Sequence, residues 1–162
     1  MQKITSEITY DIYESQSELS EEDRILLNEA VKASETAYAP YSNFYVGAAV
    51  LMENGEVVQG SNQENAAYPS GLCAERVALF AASAHYPGVK IKSIAITAQF
   101  DDRKSLLSVS PCGDCRQVMA EYEHRFGDGI RLIMTADKGK VVVVPNIKML
   151  LPLMFNAESL KK

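Results

Sequence analysis

The tightest constraint on this chain is a hairpin. The run Phe44 to Met52 leads through Asn54-Gly55 into Val57-Val58. Asn-Gly between two apolar β-rich runs is a strong short-range signal for antiparallel pairing. Beyond the hairpin the hydrophobic period alternates between helical and extended. Cys73 to Ala84 reads as an Ala-rich helix, Ile91 to Ala98 as a strand and Cys112 to Glu123 as a helix. Ile130 to Ala136 and Lys140 to Val144 then read as strands, and Ile147 to Phe155 as a short terminal helix. Before the hairpin, Ser20 followed by Asp23 has the form of a helix start. Ile25, Leu26, Ala30, Val31 and Tyr38 recur after it at helical spacing, up to a stop before Pro40. An early hairpin followed by alternating helices and strands predicts an α/β fold, a mixed five-stranded sheet covered by helices in three α/β/α layers.

With 162 residues, and no repeat or Pro/Gly/Ser-rich linker, the expectation is one domain over residues 20–162. Residues 1–19 precede it as a polar arm, in which Ile8, Tyr10 and Ile12 alternate like an edge strand. The net charge of −5 argues against a nucleic-acid or anionic-membrane surface, because phosphate binding needs a basic stripe. No run reaches the ~18 apolar residues of a membrane span, and Met1 to Thr9 is too polar for a signal peptide. These features predict a cytoplasmic protein.

Only three cysteines occur, Cys73, Cys112 and Cys115. An odd count is a poor disulfide framework, and buried core thiols are the bland alternative. The spacing favours another reading. Pro111-Cys112-Gly113-Asp114-Cys115 opens a predicted helix and places two sulfurs on one turn. Free amides and the helix dipole there favour thiolate. Two thiolates make half of a tetrahedral zinc site, and Cys73 can supply a third ligand from another helix start. Catalytic zinc sites keep three protein ligands and one open position. Neither His85 nor His124 is well placed to close it.

Glu75, two residues after Cys73, can serve as a proton shuttle beside the metal, or simply as a favourable carboxylate in the first turn of a helix. Three thiolates outweigh the charge of zinc. Arg76 and Arg116, each beside a ligand segment, are placed to donate hydrogen bonds to sulfur and offset that excess. A lone CxxC can equally be redox-active, whereas Cys-Ala-Glu combined with Pro-Cys-x-x-Cys is far more specific.

At these residues the chain resembles the cytidine deaminase family, in its small, three-cysteine, homotetrameric branch. The resemblance extends over Tyr38 to Phe44 with Val46 to Ala49, Asn62 to Pro69, Cys73 to Arg76, Pro111 to Met119, and Leu150-Leu151-Pro152 with Phe155. It implies a cytidine deaminase-like fold and one zinc per chain on Cys73, Cys112 and Cys115. Glu75 then shuttles protons in the hydrolysis of free cytidine or deoxycytidine to uridine or deoxyuridine, with loss of ammonia. The resemblance further implies Asn62 and Glu64 as ribose binders, the Ala74 amide as donor to the pyrimidine carbonyl, and Phe44 as an aromatic wall. Phe155 resembles a base cover contributed by a neighbouring subunit, and Tyr68 a residue near that contact. Residues 1–19 exceed the compact form of the branch, and Asn156 stands where a glycine is common. Two rival readings are a deaminase of another amine-bearing base or antibiotic nucleoside, and a structural zinc module with a fourth protein ligand.

Overall fold

The computed structural model describes residues 1–100 and 106–160; the last two residues of the expected 20–162 domain lie outside them. Among the described residues three α-helices are formed, α1 (Glu21–Ser34), α2 (Ala74–His85) and α3 (Gly113–Phe126). Helix α1 starts where its capping pattern predicts. The Ser20 hydroxyl accepts the Asp23 amide at 3.2 Å, and Glu21, Glu22 and Asp23 complement the positive end of the dipole.

The hairpin is β2 (Tyr45–Met52) against β3 (Val57–Ser61), with Val50 opposite Val58. Between them Met52 N donates to Glu56 O and Gly55 N to Met52 O. Gly55 lies at φ 86°, a left-handed conformation that glycine adopts at no steric cost. The sheet grows from this hairpin. Strand β4 (Ile91–Gln99) pairs antiparallel with β2 and parallel with β6 (Arg131–Thr135). In turn β7 (Val141–Val144) pairs antiparallel with β6, and β1 (Asp11–Tyr13) antiparallel with β7. The order is β1-β7-β6-β4-β2-β3, with β5 (Leu106–Leu107) paired to the end of β4.

Alternation along the strands creates the three layers. Ala49, Leu51, Ala95, Ile133, Val141 and Val143 face Leu26, Leu27 and Ala30 of α1. Their neighbours Ala48, Val50, Ile94, Ile96 and Leu132 face α2 and α3, against Ala78, Leu79, Met119 and Ala120. Two glycines, one on each strand of the hairpin, permit this closeness. A β-carbon on Gly60 would sit 2.4 Å from Ala78 N and 2.6 Å from Ala74 O, and one on Gly47 would sit 2.0 Å from Ala30 O. Gly60 therefore lets the first turns of α2 rest directly on the sheet.

The fold class is as expected, and two local expectations need correction. Among the described residues the sheet has seven strands rather than five, because short strands form at Asp11–Tyr13 and Leu106–Leu107. The arm strand is confined to Asp11–Tyr13. Its partner β7 ends at Val144 before Pro145, which has no N–H to offer the ladder. The predicted terminal helix over Ile147 to Phe155 is a single 3-10 turn at Ile147–Leu150, followed by irregular chain. Pro152 disfavours helical backbone at the residue before it, and Leu151 lies at φ −140°, ψ 71°; Leu153 then turns left-handed at φ 57°. Among the described residues no helix is long and apolar enough to cross a membrane.

Candidate active site

Two helix starts meet at the C-terminal end of β3 and the loops around it. Cys73 is the N-cap of α2 and Cys112 the N-cap of α3, both with extended backbone, while Cys115 lies in the first turn of α3. Neither N-cap side chain satisfies its own helix amides, so the sulfurs are free to point at one another. Cys73 Sγ is 3.8 Å from Cys112 Sγ, which is 3.4 Å from Cys115 Sγ, and all three lie within 4.8 Å of one another. Sulfurs at the corners of a tetrahedron around zinc, with bonds of about 2.3 Å, stand about 3.8 Å apart. The trio fits a zinc ion. Among the described residues the group of metal-capable side chains has these three members, which leaves a fourth position without a protein ligand.

Cys73 and Cys115 do not share charge equally. Hydrogen bonding from Cys115, then from Arg76, holds the Cys73 thiol down to about 5; the same bond together with burial pushes the Cys115 thiol up. Arg76 Nη2 lies 3.8 Å from Cys73 Sγ, and its Nη1 lies 3.9 Å from Asp114. The guanidinium thus reaches sulfur, as its place in the sequence suggests. Arg116 does not follow that expectation. Its Nε donates to Pro111 O at 2.9 Å and its Nη1 to Leu150 O at 3.0 Å, so its donors go to backbone carbonyls.

A cavity of about 560 Å3 opens in front of the sulfurs, a size suited to a small molecule. Phe44, Asn62, Glu64, Tyr68, Cys73, Ala74, Glu75, Arg76 and Cys112 all line it, and Cys115 lies buried beneath. Glu75 is 4% exposed, and burial raises its carboxyl above the usual carboxylate range. Ala74, the first residue of α2, carries an amide that has no intrahelical acceptor, because it belongs to the opening turn.

The other end of the cavity is polar. Glu64 accepts from the Tyr41 amide at 2.9 Å, the Ser42 amide at 3.3 Å and the Ser42 hydroxyl. The Ser42 hydroxyl first, then these amides, lowers its pKa and keeps a charged carboxylate there. Asn62 clips the start of β2. Its Oδ1 accepts from Val46 N at 2.8 Å and its Nδ2 donates to Phe44 O at 2.9 Å, leaving one proton and one lone pair free. Phe44 is thereby fixed, with its ring edge-on to Phe100 at 5.6 Å.

Tyr68 is 78% exposed at the rim, edge-on to Tyr41 at 6.2 Å. Phe155 lies outside the cavity lining, 60% exposed, with its carbonyl held by Gln117 Nε2 at 2.8 Å. Sequence reasoning missed Tyr41 and Ser42, which orient Glu64. The available signal was Asn43, whose left-handed φ of 53° turns the chain beside them, a conformation Asn tolerates better than most residues.

Residues 20–126 match the family model described as the cytidine and deoxycytidylate deaminase zinc-binding region. The chain is similar to a cytidine deaminase of Halalkalibacterium halodurans, 49% identical over 98 residues that make up 60% of this chain and 70% of the relative. It is 42% identical over 98 residues to a cytidine deaminase of Mycobacterium tuberculosis, covering 60% of this chain and 69% of that one. In three dimensions it is similar to the crystal structure of cytidine deaminase from Burkholderia pseudomallei. That match has a TM-score of 0.70 and 39% identity, and covers 85% of this chain and 100% of the other.

Proposed function

This chain belongs to the cytidine and deoxycytidylate deaminase family, and from that premise we propose that it hydrolyses free cytidine and deoxycytidine to uridine and deoxyuridine, releasing ammonia, in pyrimidine salvage. One zinc ion per chain is the cofactor. The observation that carries the reading is the three-sulfur cluster facing a cavity walled by a buried carboxylate.

Cys73, Cys112 and Cys115 are the residues that hold zinc, and Arg76 offsets their charge from the side of Cys73. When bound, zinc supplies the Lewis acidity that makes water a competent nucleophile at neutral pH. Glu75 takes a proton from the attacking water on one carboxylate oxygen and delivers it to ring N3. It then takes the second proton to the exocyclic amine, which departs as ammonia. Burial suits the carboxyl to both tasks, since raising its pKa makes the carboxylate a better proton acceptor and its protonated form easier to reach. The Ala74 amide, at the positive end of α2, donates to the pyrimidine carbonyl. Phe44 flanks the ring, and Asn62 and Glu64 bind sugar hydroxyls with the donor and acceptor capacity they have left.

A charged Glu64 suits a neutral sugar and opposes a phosphate. Loss of cytidine absorbance in the ultraviolet on adding zinc-loaded protein tests this directly, with deoxycytidine, cytidine 5′-monophosphate, adenosine, guanine and blasticidin S alongside. The two pyrimidine nucleosides are expected to turn over, with the monophosphate at about 100-fold lower kcat/KM, the size of a like-charge contact of a few kcal/mol. A preference for the monophosphate, or for blasticidin S, would overturn the nucleoside reading.

Residues 20–162 act as the deaminase domain and residues 1–19 as an appended arm, in a protein that works in the cytoplasm as a homotetramer. Phe155 reaches a neighbouring subunit's cavity and covers the base there. Its exposure beyond its own cavity, and the exposed Tyr68 at the rim, support this. Activity per chain is therefore expected to fall as the protein is diluted below its assembly threshold. Undiminished turnover by a sample shown by light scattering to be monomeric would contradict the shared site.

A further inference from the structure

We propose that Arg116 is a positioning residue for the metal turn, acting through backbone carbonyls. It clamps the Pro111–Cys112 peptide to the 3-10 turn Ile147–Leu150 and so sets the direction of the Cys112 sulfur. The inference rests on the zinc-site reading above.

Cys112 is the exposed member of the trio, on an extended N-cap residue at φ −68°, ψ 170°. Little packing holds such a side chain, so its direction depends on the peptide that precedes it. Pro111 cannot be held through an amide proton, because proline has none. Its carbonyl instead accepts Arg116 Nε at 2.9 Å. The same guanidinium donates Nη1 to Leu150 O at 3.0 Å.

Leu150 is itself a fixed point. It ends the 3-10 turn Ile147–Leu150, whose first amides donate to the buried Glu123 carboxylate of α3, Ile147 N at 2.7 Å and Lys148 N at 3.3 Å. Ile147 is fully buried in the core on the α2/α3 side. Helix α3 therefore anchors the C-terminal turn through Glu123, and Arg116 uses that anchor to hold the ligand turn. A planar guanidinium presents two donors at a fixed angle, which a lysine ammonium cannot reproduce across two carbonyls.

The test is release of zinc from the folded holoenzyme into excess chromophoric chelator, for the parent, Arg116→Lys, Arg116→Gln and Gln117→Ala, with circular dichroism as the check of folding. Both Arg116 variants are expected to release zinc about 10- to 100-fold faster, the usual effect of removing a group that orients a metal ligand. Gln117→Ala loses a tie to Phe155 O and leaves the Pro111 clamp intact, so it is expected to release zinc at the parental rate. Arg116→Lys keeps charge and length and carries the test even if Arg116→Gln does not fold. Parental release by Arg116→Lys would overturn the clamp and leave charge as the role of Arg116. Equal acceleration in Gln117→Ala would overturn it too, by showing a general loosening of the C-terminal segment. A parent that holds no zinc would instead sink the zinc-site reading itself.

Discussion

Glu75→Ala is expected to abolish deamination while zinc stays at about one per chain. In the proposed mechanism the carboxylate, which lines the cavity with Cys73 and Cys112, is the acid–base group, and it is not one of the clustered metal-capable side chains. Removing it leaves every sulfur of the cluster in place and removes the group proposed to carry both protons. Loss of one general acid–base side chain costs about 100- to 10,000-fold in rate. Because this carboxylate serves two successive transfers, the upper end is expected for kcat. Glu75→Gln fills the same volume and cannot exchange protons, so it should match Glu75→Ala in rate and separate chemistry from packing. Elemental analysis and the cytidine assay on the same samples give the answer. Loss of zinc together with activity, or loss of neither, would remove Glu75 from the shuttle role.

The second large effect is expected from Cys112→Ala, which should empty the site and lower thermal stability. The choice of cysteine matters. Cys115 is fully buried in the core, so replacing it removes packing as well as a ligand. Cys112 is exposed, and its substitution isolates the metal contribution. A ligand present at a thousand times its Kd stabilises the native state by about 4 kcal/mol. For a domain of this size each kcal/mol moves Tm by about 2–4 °C, so the fall should be about 10 °C. The parent treated with chelator should fall to the same midpoint, because the substitution and the chelator remove the same contribution. Normal zinc content in Cys112→Ala would refute the ligand assignment. A parent whose Tm ignores chelator would refute the link between metal and folding.

Much of the fold and site is legible from local rules. The Ser20 cap, the Asn54-Gly55 turn and the Pro111 helix entry each act over a few residues, so their outcomes are written in the residues themselves. The same holds for the ligand set. An i, i+3 pair of cysteines on one helical turn meets whatever the rest of the chain does, and a third cysteine at another helix start needs only one crossover to join it. Where expectation and structure part, the deciding contact comes from far along the chain. The arm strand stops at Asp11 because its partner runs into Pro145. The terminal helix fails where Pro152 meets a segment already tied to α3 by Glu123, Arg116 and Gln117.

The two arginines show the division most clearly. In sequence they look alike, each beside a ligand segment and each placed to touch sulfur. Arg76 does so, because α2 lies flat on Gly60 and aims its first turn at the cluster. Arg116 turns away, because Leu150 O stands within reach of its other nitrogen. By itself the sequence determined the alternation of helices and strands, the Cys112–Cys115 pair on one turn and the carboxylate two residues after Cys73, through spacing and capping that act over a few residues. Only the tertiary structure decided where the long side chains point and that Phe155 stands outside its own cavity. A flexible side chain settles on whichever partner folding brings near, and those partners lie tens of residues away.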